Sequence, residues 1–363
     1  MQTTALRDLI RHPGPFASVY LDFSHDTEDA LDQRRLRWRA ARASLEEQGA
    51  DQGTVEAIEQ AYDARETAPG QVGLALIAAA GEVLLDHLMP VPPPLPETRF
   101  SALPYLLPLV AAAPKDRPYL VVVVDKVGAD FRLFEPDGTV AEPGSVEGVD
   151  HPIHKVRGGG WAHLSMQHRV EETVAQNIAR VAAETARLAQ RGGVWLVVVG
   201  GEVQSRADLL SALPKGVARI AVEVDAGSRG AGADEDRLRV EVERAVAEFE
   251  AAEHLDVVEA YRAERGATAV DGMAAATAAL REANARVVLV GPELSGSAWV
   301  SPSSPDQVAI DDDALRGLGL ADFTRLPADE VVPAAAVAVG AELVAVRHEV
   351  PLSGGIGVLL RHR

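Results

Sequence analysis

Two short, uninterrupted apolar runs set the strongest limit on how this chain can fold. LVVVV (120–124) and WLVVVGG (195–201) are rich in β-branched residues and end in turn-forming residues, which is typical of fully buried strands. A helical pattern lies between them at about 165–191, and Gly192 and Gly193 provide its stop. Helices alternate with apolar strands along the rest of the chain as well, so the sequence predicts an α/β fold.

The 363-residue length is suited to two or three domains. We predict three α/β domains. They are an N-terminal domain over 1–115, a middle domain over 118–253 that holds a glycine-rich loop and the long helix, and a C-terminal domain over 256–363.

Local patterns predict further elements in each domain. In chain order these are a strand at 16–24, a helix at about 28–48, a hairpin at 72–88 with its turn near Ala80-Gly81, an irregular loop up to about Gly160, a helix at 234–254, a helical region at 267–284 and a loop at 301–307.

The composition excludes several classes of protein. Because the chain has no cysteine, disulfides, thiolate metal sites and a cysteine nucleophile are excluded. A net charge of −19 argues against a surface that binds nucleic acid everywhere, although it allows a local basic patch. The N-terminus lacks a signal-peptide pattern, and no apolar run approaches the roughly 20 residues that span a bilayer. We therefore expect a soluble, cytoplasmic protein without a membrane or DNA partner.

One segment without acidic residues stands out in this acidic chain. Residues 151–170 contain three cationic side chains and no carboxylate, so they form a candidate contact for phosphates. Glycines 158–160 lack a Cβ and can approach a nucleic-acid backbone closely. Trp161 beside them can stack on an unpaired base. The alternative is a mobile surface loop whose tryptophan folds back against the protein. The cationic residues are Lys155, Arg157 and Arg169.

Other residue groups suggest weaker sites. Arg35, Arg39 and Arg42 share one face of the predicted helix at 28–48, either as an RNA-binding surface or, as the pattern alone favours, as a solvated face. The glycine-rich loop at 227–232 lacks the known phosphate-binding motifs, and the acidic residues after it suit a helix N-terminus better than a phosphate. Histidines near Asp150 could bind zinc, but exposed loop histidines are the simpler interpretation. They are His151, His154, His163 and His168. We predict no metal and no cofactor.

The order of these features resembles that of a known family. RGGGWAHLSMQHRVEETVAQNIARVAAET (157–185) resembles the glycine-glycine-glutamine loop and following helix of the archaeal and eukaryotic class 1 peptide-chain release factors and Pelota. Segments at 194–243, 266–293 and 353–363 resemble the rest of that family's middle and C-terminal domains. The resemblance covers about 118–363 and implies that these two domains fold as domains 2 and 3 of the family.

Within the bacterial branch of the family, the domain plan resembles that of the Balon-like ribosome hibernation factors. The resemblance implies a non-catalytic factor that binds the ribosomal A site in hibernation or rescue, with its loop directed at the peptidyl-transferase centre. The implied partners are ribosomal RNA and, for the last domain, a ribosomal protein or a translational GTPase such as elongation factor Tu. The implied rRNA-binding residues are Lys155, Arg157, Gly158, Gly159, Gly160, Trp161, His163, His168 and Arg169, with Arg35, Arg39 and Arg42 as further candidates in the N-terminal domain.

The loop departs from the family's pattern at one position. Release factors place glutamine after two glycines, whereas aligning Gly159 and Gly160 with those glycines puts Trp161 at that position. An indole has one donor and no acceptor, so it cannot hold a water for attack on an ester as an amide does. Gln167 cannot substitute, because it lies about two turns into the helix. We therefore predict no catalytic residue. The alternatives are a peptidyl-tRNA ester hydrolase despite Trp161 and a stress protein that no longer binds ribosomes.

Overall fold

The computed structural model describes residues 3–25, 30–66, 70–112, 117–135, 139–147, 161–230, 234–347 and 349–363, and only the backbone at 3–5, 142–143 and 161–170. The chain divides into two compact units. One is formed by residues 1–115 together with 254–363, and the other by residues 116–253. The three-domain division stays a prediction. The α/β class is confirmed, because both units combine sheets with packed helices.

The first 115 residues form a four-stranded antiparallel sheet with the strand order β3-β2-β1-β4. One face of β1, at Ala17, Val19 and Leu21, packs under α2 and α3. The other face, at Phe16 and Tyr20, shares a core with residues from the last segment of the chain. The elements are α1 (Thr3–Arg11), β1 (Phe16–Asp22), α2 (Ala30–Glu47), α3 (Gln52–Ala64), β2 (Gly73–Ala79), β3 (Glu82–Met89), β4 (Glu97–Ser101) and α4 (Leu107–Ala112).

The predicted strand, helix and hairpin of this segment are confirmed. Ala80 and Gly81 form the two-residue turn of the hairpin, with φ of 50° and 80°. Positive φ at both central positions gives a turn whose twist matches that of the paired strands. The pairing of β2 with β3 is therefore set by the local chemistry of the turn as well as by burial.

The middle unit is a sheet with helices on both faces. Its strand order is β7-β6-β5-β8-β9, with β5, β8 and β9 parallel and β6 and β7 antiparallel. α5 and α6 cover one face of β5 and β8, and α8 covers the other, so the apolar runs are buried on both sides. The elements are β5 (Tyr119–Val124), β6 (Gly128–Phe134), β7 (Val140–Glu147), α5 (Trp161–Gly192), β8 (Leu196–Gly201), α6 (Val203–Ala212), α7 (Lys215–Ala218), β9 (Ala221–Glu223) and α8 (Glu235–Glu264).

The last segment has a mixed sheet in the order β10-β16-β11-β15 and a small antiparallel sheet in the order β13-β12-β14. Val258 and Tyr261 of α8 pack against one face of the mixed sheet. α11 ends at Gly340, whose φ of 66° is the left-handed conformation typical of a glycine that terminates a helix. The elements are β10 (Ala269–Asp271), α9 (Met273–Arg281), β11 (Ala285–Val290), β12 (Ser297–Ser301), β13 (Ser304–Ala309), α10 (Asp312–Gly317), β14 (Thr324–Pro327), α11 (Ala328–Val339), β15 (Glu342–Ala345) and β16 (Ile356–Leu360).

In several places the sequence prediction was wrong. The irregular loop predicted up to Gly160 contains the edge strand β7, whose polar residues, proline and glycine hide the strand pattern. The loop predicted at 301–307 is the β12–β13 hairpin. The helical region at 267–284 begins with the three-residue strand β10, which is too short to show alternation. The helix predicted to end at 254 continues to Glu264, because no glycine or proline interrupts it before Gly266.

Candidate functional site

The predicted glycine loop connects two elements of the middle unit. β7 ends at Glu147, which pairs with Gly128 at the start of β6. α5 begins at Trp161. Residues 148–160 lie outside the described residues. The described part of the site therefore consists of the elements on either side of the loop. The β5–β6 turn at 125–128 lies beside the first of these elements, since Gly128 pairs with Glu147, and the middle of α5 contacts this turn through Asn177.

Asp125 holds the β5–β6 turn in one conformation. Its Oδ1 accepts hydrogen bonds from the backbone N–H groups of Val127 and Gly128, both at 2.8 Å. The same oxygen accepts from Arg229 Nη1 at 3.0 Å, and the Arg229 side chain, only 12% exposed, also lies 3.2 Å from Asp130. A carboxylate with three donors is well satisfied, so the turn beside the start of the loop is rigid.

Lys126, at the tip of this turn, forms an ion pair with the residue that follows the neighbouring strand β8. Its Nζ lies 2.6 Å from Oε1 of Glu202, which directly follows β8. The two residues meet because β5 and β8 run parallel, with Val124 opposite Gly201. The hydrogen bond and the negative charge of Glu202 raise the pKa of Lys126. Lys126 therefore stays charged, but much of its field is cancelled by its partner.

Asn177, on α5, hydrogen-bonds both to this turn and to an exposed arginine. Its Nδ2 donates to the Lys126 carbonyl oxygen at 3.1 Å, and its Oδ1 accepts from Arg180 Nη2 at 2.7 Å. Asn177 is only 3% exposed, while Arg180 is exposed. A buried amide thus uses both ends of its side chain, one to fix itself to the sheet edge and one to hold a surface guanidinium.

The structure gives partial information on the residues predicted to bind rRNA. Trp161, His163, His168 and Arg169 lie within α5, which starts four residues earlier than the predicted helix, and their side chains lie outside what the structure describes. The other loop residues of that prediction fall entirely outside the described residues, as do two of the histidines considered for zinc. These are Lys155, Arg157, Gly158, Gly159 and Gly160 for rRNA and His151 and His154 for zinc.

The three arginines predicted in the N-terminal domain lie on α2 in different surroundings. Arg35 is 79% exposed and 3.6 Å from Asp32. Arg39 is exposed and has no ion pair among the described residues. Arg42 is engaged with two carboxylates, those of Glu46 at 2.9 Å and Glu59 at 2.6 Å. Arg39 and, less fully, Arg35 thus remain available to a partner.

The described part of the loop at 227–232 has structural roles. Gly227 has φ of +94°, and a Cβ there would lie 3.3 Å from the Val123 side chain. Arg229 is turned toward Asp125 and Asp130. After the loop, Asp234 Oδ1 accepts from the Arg237 backbone N–H at 2.9 Å, which caps α8. These residues stabilise the middle unit. Residues 231–233 lie outside the part of the chain that the structure describes.

The described residues include neither a candidate metal site nor a candidate membrane span. No group of three or more His, Cys, Asp and Glu side chains is arranged there to hold a metal ion. Among the described helices, none has the length and apolar character that crossing a bilayer requires.

Comparison with known proteins identifies the family. The family model of bacterial archaeo-eukaryotic release factor family 2 matches residues 118–267. Uncharacterized protein Rv2629 of Mycobacterium tuberculosis strain H37Rv is 36% identical over 366 residues, covering 100% of this chain and 97% of the relative. The chain belongs to bacterial archaeo-eukaryotic release factor family 2. The predicted resemblance to the release factor and Pelota family is confirmed.

Solved structures of release-factor-like proteins are similar at a distance to this family 2 member. Archaeoglobus fulgidus Pelota matches with a TM-score of 0.34 at 14% identity, over 99% of this chain and 92% of that one. Saccharomyces cerevisiae Dom34, a translation termination-like factor, matches with a TM-score of 0.41 at 8% identity, over 80% and 81%. Likenesses of this degree say nothing about activity.

Sequence reasoning missed Asn177 and Arg180 in this release factor family member. Both sit in the middle of a long amphipathic pattern, where a single asparagine and a single arginine carry no motif. The one available signal was spacing, since Arg180 follows Arg169 by eleven residues and so shares its helix face. The hydrogen bond from Asn177 to Lys126, some fifty residues earlier in the chain, has no local sequence pattern behind it.

Proposed function

We propose that this protein is a non-catalytic factor that binds the ribosomal A site and acts in ribosome hibernation or rescue. Membership of the release factor family carries this proposal. The matching region, 118–267, contains the whole glycine-rich segment, α5 and the sheet that anchors them. The part of the chain that the family model matches therefore contains the candidate RNA-binding residues of the glycine loop and of α5.

In this proposal the glycine loop reaches toward the peptidyl-transferase centre. Lys155, Arg157 and Arg169 contact rRNA phosphates, and the glycines allow close approach to the RNA backbone. His163 and His168 add polar contacts, and Trp161 stacks on an unpaired base. The absence of acidic residues from 151–170, in a chain with a net charge of −19, supports this assignment.

The proposal excludes peptidyl-tRNA hydrolysis on chemical grounds. Ester hydrolysis at this position needs a group that orders a water, and Trp161 offers one donor and no acceptor. Trp161 is the first residue of α5, and Gln167 follows six residues later in the same helix. Six residues correspond to about 9 Å along the axis, so Gln167 is too far from the loop glycines to replace the missing amide.

The other two segments supply further contacts in the proposal. Arg35 and Arg39 of α2 bind rRNA near the decoding region, since both are exposed, Arg39 has no ion pair among the described residues and Arg35 has only a 3.6 Å contact with Asp32. Residues 256–363 meet a ribosomal protein or a translational GTPase, for which elongation factor Tu is the first candidate to test. Acidic surface elsewhere limits nonspecific binding to RNA.

Co-sedimentation of the purified full-length protein with vacant 70S ribosomes over a salt series tests the proposal. We expect saturable pelleting near one copy per ribosome, and affinity that falls as salt rises. Arg157→Glu with Arg169→Glu should weaken binding and flatten the salt dependence. Arg244→Gln is a matched control, because Arg244 is an exposed arginine on α8 paired with Glu241 and Glu248.

Two results would overturn the proposal. The first is an absence of pelleting at low salt, with or without elongation factor Tu. The second is turnover of a peptidyl-tRNA bound in the ribosomal P site, lost when residues 158–160 are deleted. The second result would establish the hydrolase alternative instead.

A further inference from the structure

α5 carries an exposed guanidinium that is fixed in place without being neutralised. Arg180 Nη2 donates to the neutral Asn177 Oδ1 at 2.7 Å, and among the described residues no carboxylate pairs with Arg180. Its helix neighbour Arg187 is bonded to both oxygens of Glu184, at 2.6 and 2.8 Å. Pairing with a neutral amide leaves the full positive charge of Arg180 available to a ligand.

Because Asn177 is buried, only one orientation of its side-chain amide is allowed. Asn177 has to satisfy both ends of its amide, and it does so with the Lys126 carbonyl on one side and Arg180 on the other. If the amide were flipped, its NH2 group would face a guanidinium and its oxygen a carbonyl, so only one orientation satisfies both partners. Arg180 is therefore held by a group that is itself fixed to the rigid β5–β6 turn, and less side-chain entropy is lost when it binds a ligand.

The position of Arg180 on α5 links it to the predicted loop. It follows Arg169 by eleven residues, about three turns and roughly 16 Å along the helix axis, on the same face. Thr173 and Gln176, which lie between them on this face, carry no charge, and the exposed Glu172 lies at the margin of the face, three residues after Arg169. At the sheet edge, the turn that holds Asn177 pairs through Gly128 with Glu147, the last described residue before the loop. The face of α5 from Arg169 to Arg180 thus starts near the loop and ends at the sheet.

We propose that this face of α5 binds the phosphate backbone of an RNA strand, with Arg180 as a phosphate-binding residue and Asn177 as its positioning residue. The proposal rests on the proposed function, because it extends the RNA contact of the glycine loop along the helix. A guanidinium suits phosphate oxygens better than an ammonium does, since it offers parallel donors in a planar fork. The RNA contact of this chain then has two parts, one at the loop and one in the middle of α5.

Ribosome co-sedimentation with four variants of the full chain tests this inference. Arg180→Gln removes the charge, and we expect binding weaker by on the order of tenfold. The salt slope should also decrease by about 0.7 to 0.9, the value for one phosphate contact. Arg180→Lys keeps the charge without the fork and should restore the slope but only part of the affinity. Asn177→Ala frees the guanidinium and should weaken binding while the slope stays native. Arg244→Gln should match the native protein in both respects.

The outcomes separate this inference from the function it rests on. Suppose that the native protein pellets and that its binding depends on Arg157 and Arg169, but that Arg180→Gln binds with native affinity and slope. In that case the contact at Arg180 does not exist, while the proposed function stands. If the native protein does not pellet at any salt concentration, both are wrong. Arg180 is exposed, so its variants should fold; a native thermal unfolding transition confirms that a loss of binding is not a loss of structure.

Discussion

Replacing Arg206 with methionine tests what holds together the carboxyl ends of β8 and β9. The Arg206 side chain, on α6, is only 5% exposed. Its Nη1 donates to the Val224 carbonyl at 2.9 Å and to the Gly201 carbonyl at 3.1 Å. It also pairs with Glu223 at 3.0 Å and Asp225 at 3.2 Å. Methionine keeps most of the aliphatic stem, so the change removes mainly the guanidinium.

The expected loss follows from the groups left behind. The Val224 carbonyl loses its donor in a buried position, which costs about 1–3 kcal/mol, and the half-buried Gly201 carbonyl costs somewhat less. The two carboxylates are 42% and 81% exposed, so water replaces the arginine there at little cost. We expect the free energy of opening at this sheet edge to fall by about 3 kcal/mol.

Hydrogen exchange of the β8 and β9 amides, followed by mass spectrometry, measures this loss directly. A decrease of about 3 kcal/mol corresponds to exchange faster by on the order of 100-fold. Arg244→Met makes the same chemical change at an exposed site and should leave exchange in β8 and β9 unchanged. An acceleration of less than about fivefold in Arg206→Met would refute the reasoning, because it would mean that water satisfies both carbonyls without cost.

Three further predictions concern the unit formed by residues 1–115 and 254–363. Burial is the main cause that raises the pKa of Tyr62 and of Tyr261 from 10.0 to about 12. Between these values the unfolded chain loses its phenolic protons first, so stability should fall as pH rises from 10 to 12, and the absorbance of the folded protein should show little ionisation of these tyrosines until the pH approaches 12. Gly355→Ala should lower the free energy of unfolding by at least about 2 kcal/mol in urea titrations, since φ is +73° and a Cβ would clash with the backbone after β11. Arg42→Gln should slightly lower the thermal midpoint because it breaks the contact between α2 and α3, whereas Arg39→Gln should leave the midpoint unchanged and reduce only ribosome binding.

The parts of the fold that sequence predicted are those with a strong local cause. The buried strands β5 and β8 followed from unbroken β-branched runs, and the β2–β3 hairpin followed from Gly81 beside an apolar alternation. β7 was missed because an edge strand with a proline and a glycine does not need an apolar pattern. The β12–β13 hairpin was missed because its tight turn carries serine and proline, which are equally common in loops.

Some features of the candidate site have local causes that the sequence shows, and others depend on contacts between residues far apart in the chain. The basic, glycine-rich composition of 151–170 is visible in sequence because its residues are contiguous. The state of the α2 arginines is not, because the partner that occupies Arg42 is Glu59 on the next helix. Likewise, Arg180 differs from other surface arginines only through Asn177 and the Lys126 carbonyl. Charge patterns thus locate candidate contacts, and tertiary hydrogen bonds decide which of them are free.

The shared core of β1 has a consequence for the synthesis of this protein. Phe16 and Tyr20 face a cluster that is completed by residues of the last segment, from Ala276 of α9 to Val358 of β16. The first sheet therefore leaves the ribosome with part of this apolar face uncovered, and about 240 further residues are translated before its cover is complete, which takes roughly 12 to 50 s at usual elongation rates. During that interval the nascent chain exposes a surface suited to chaperones or to aggregation. A fragment of residues 1–115 released from the ribosome would keep that surface permanently.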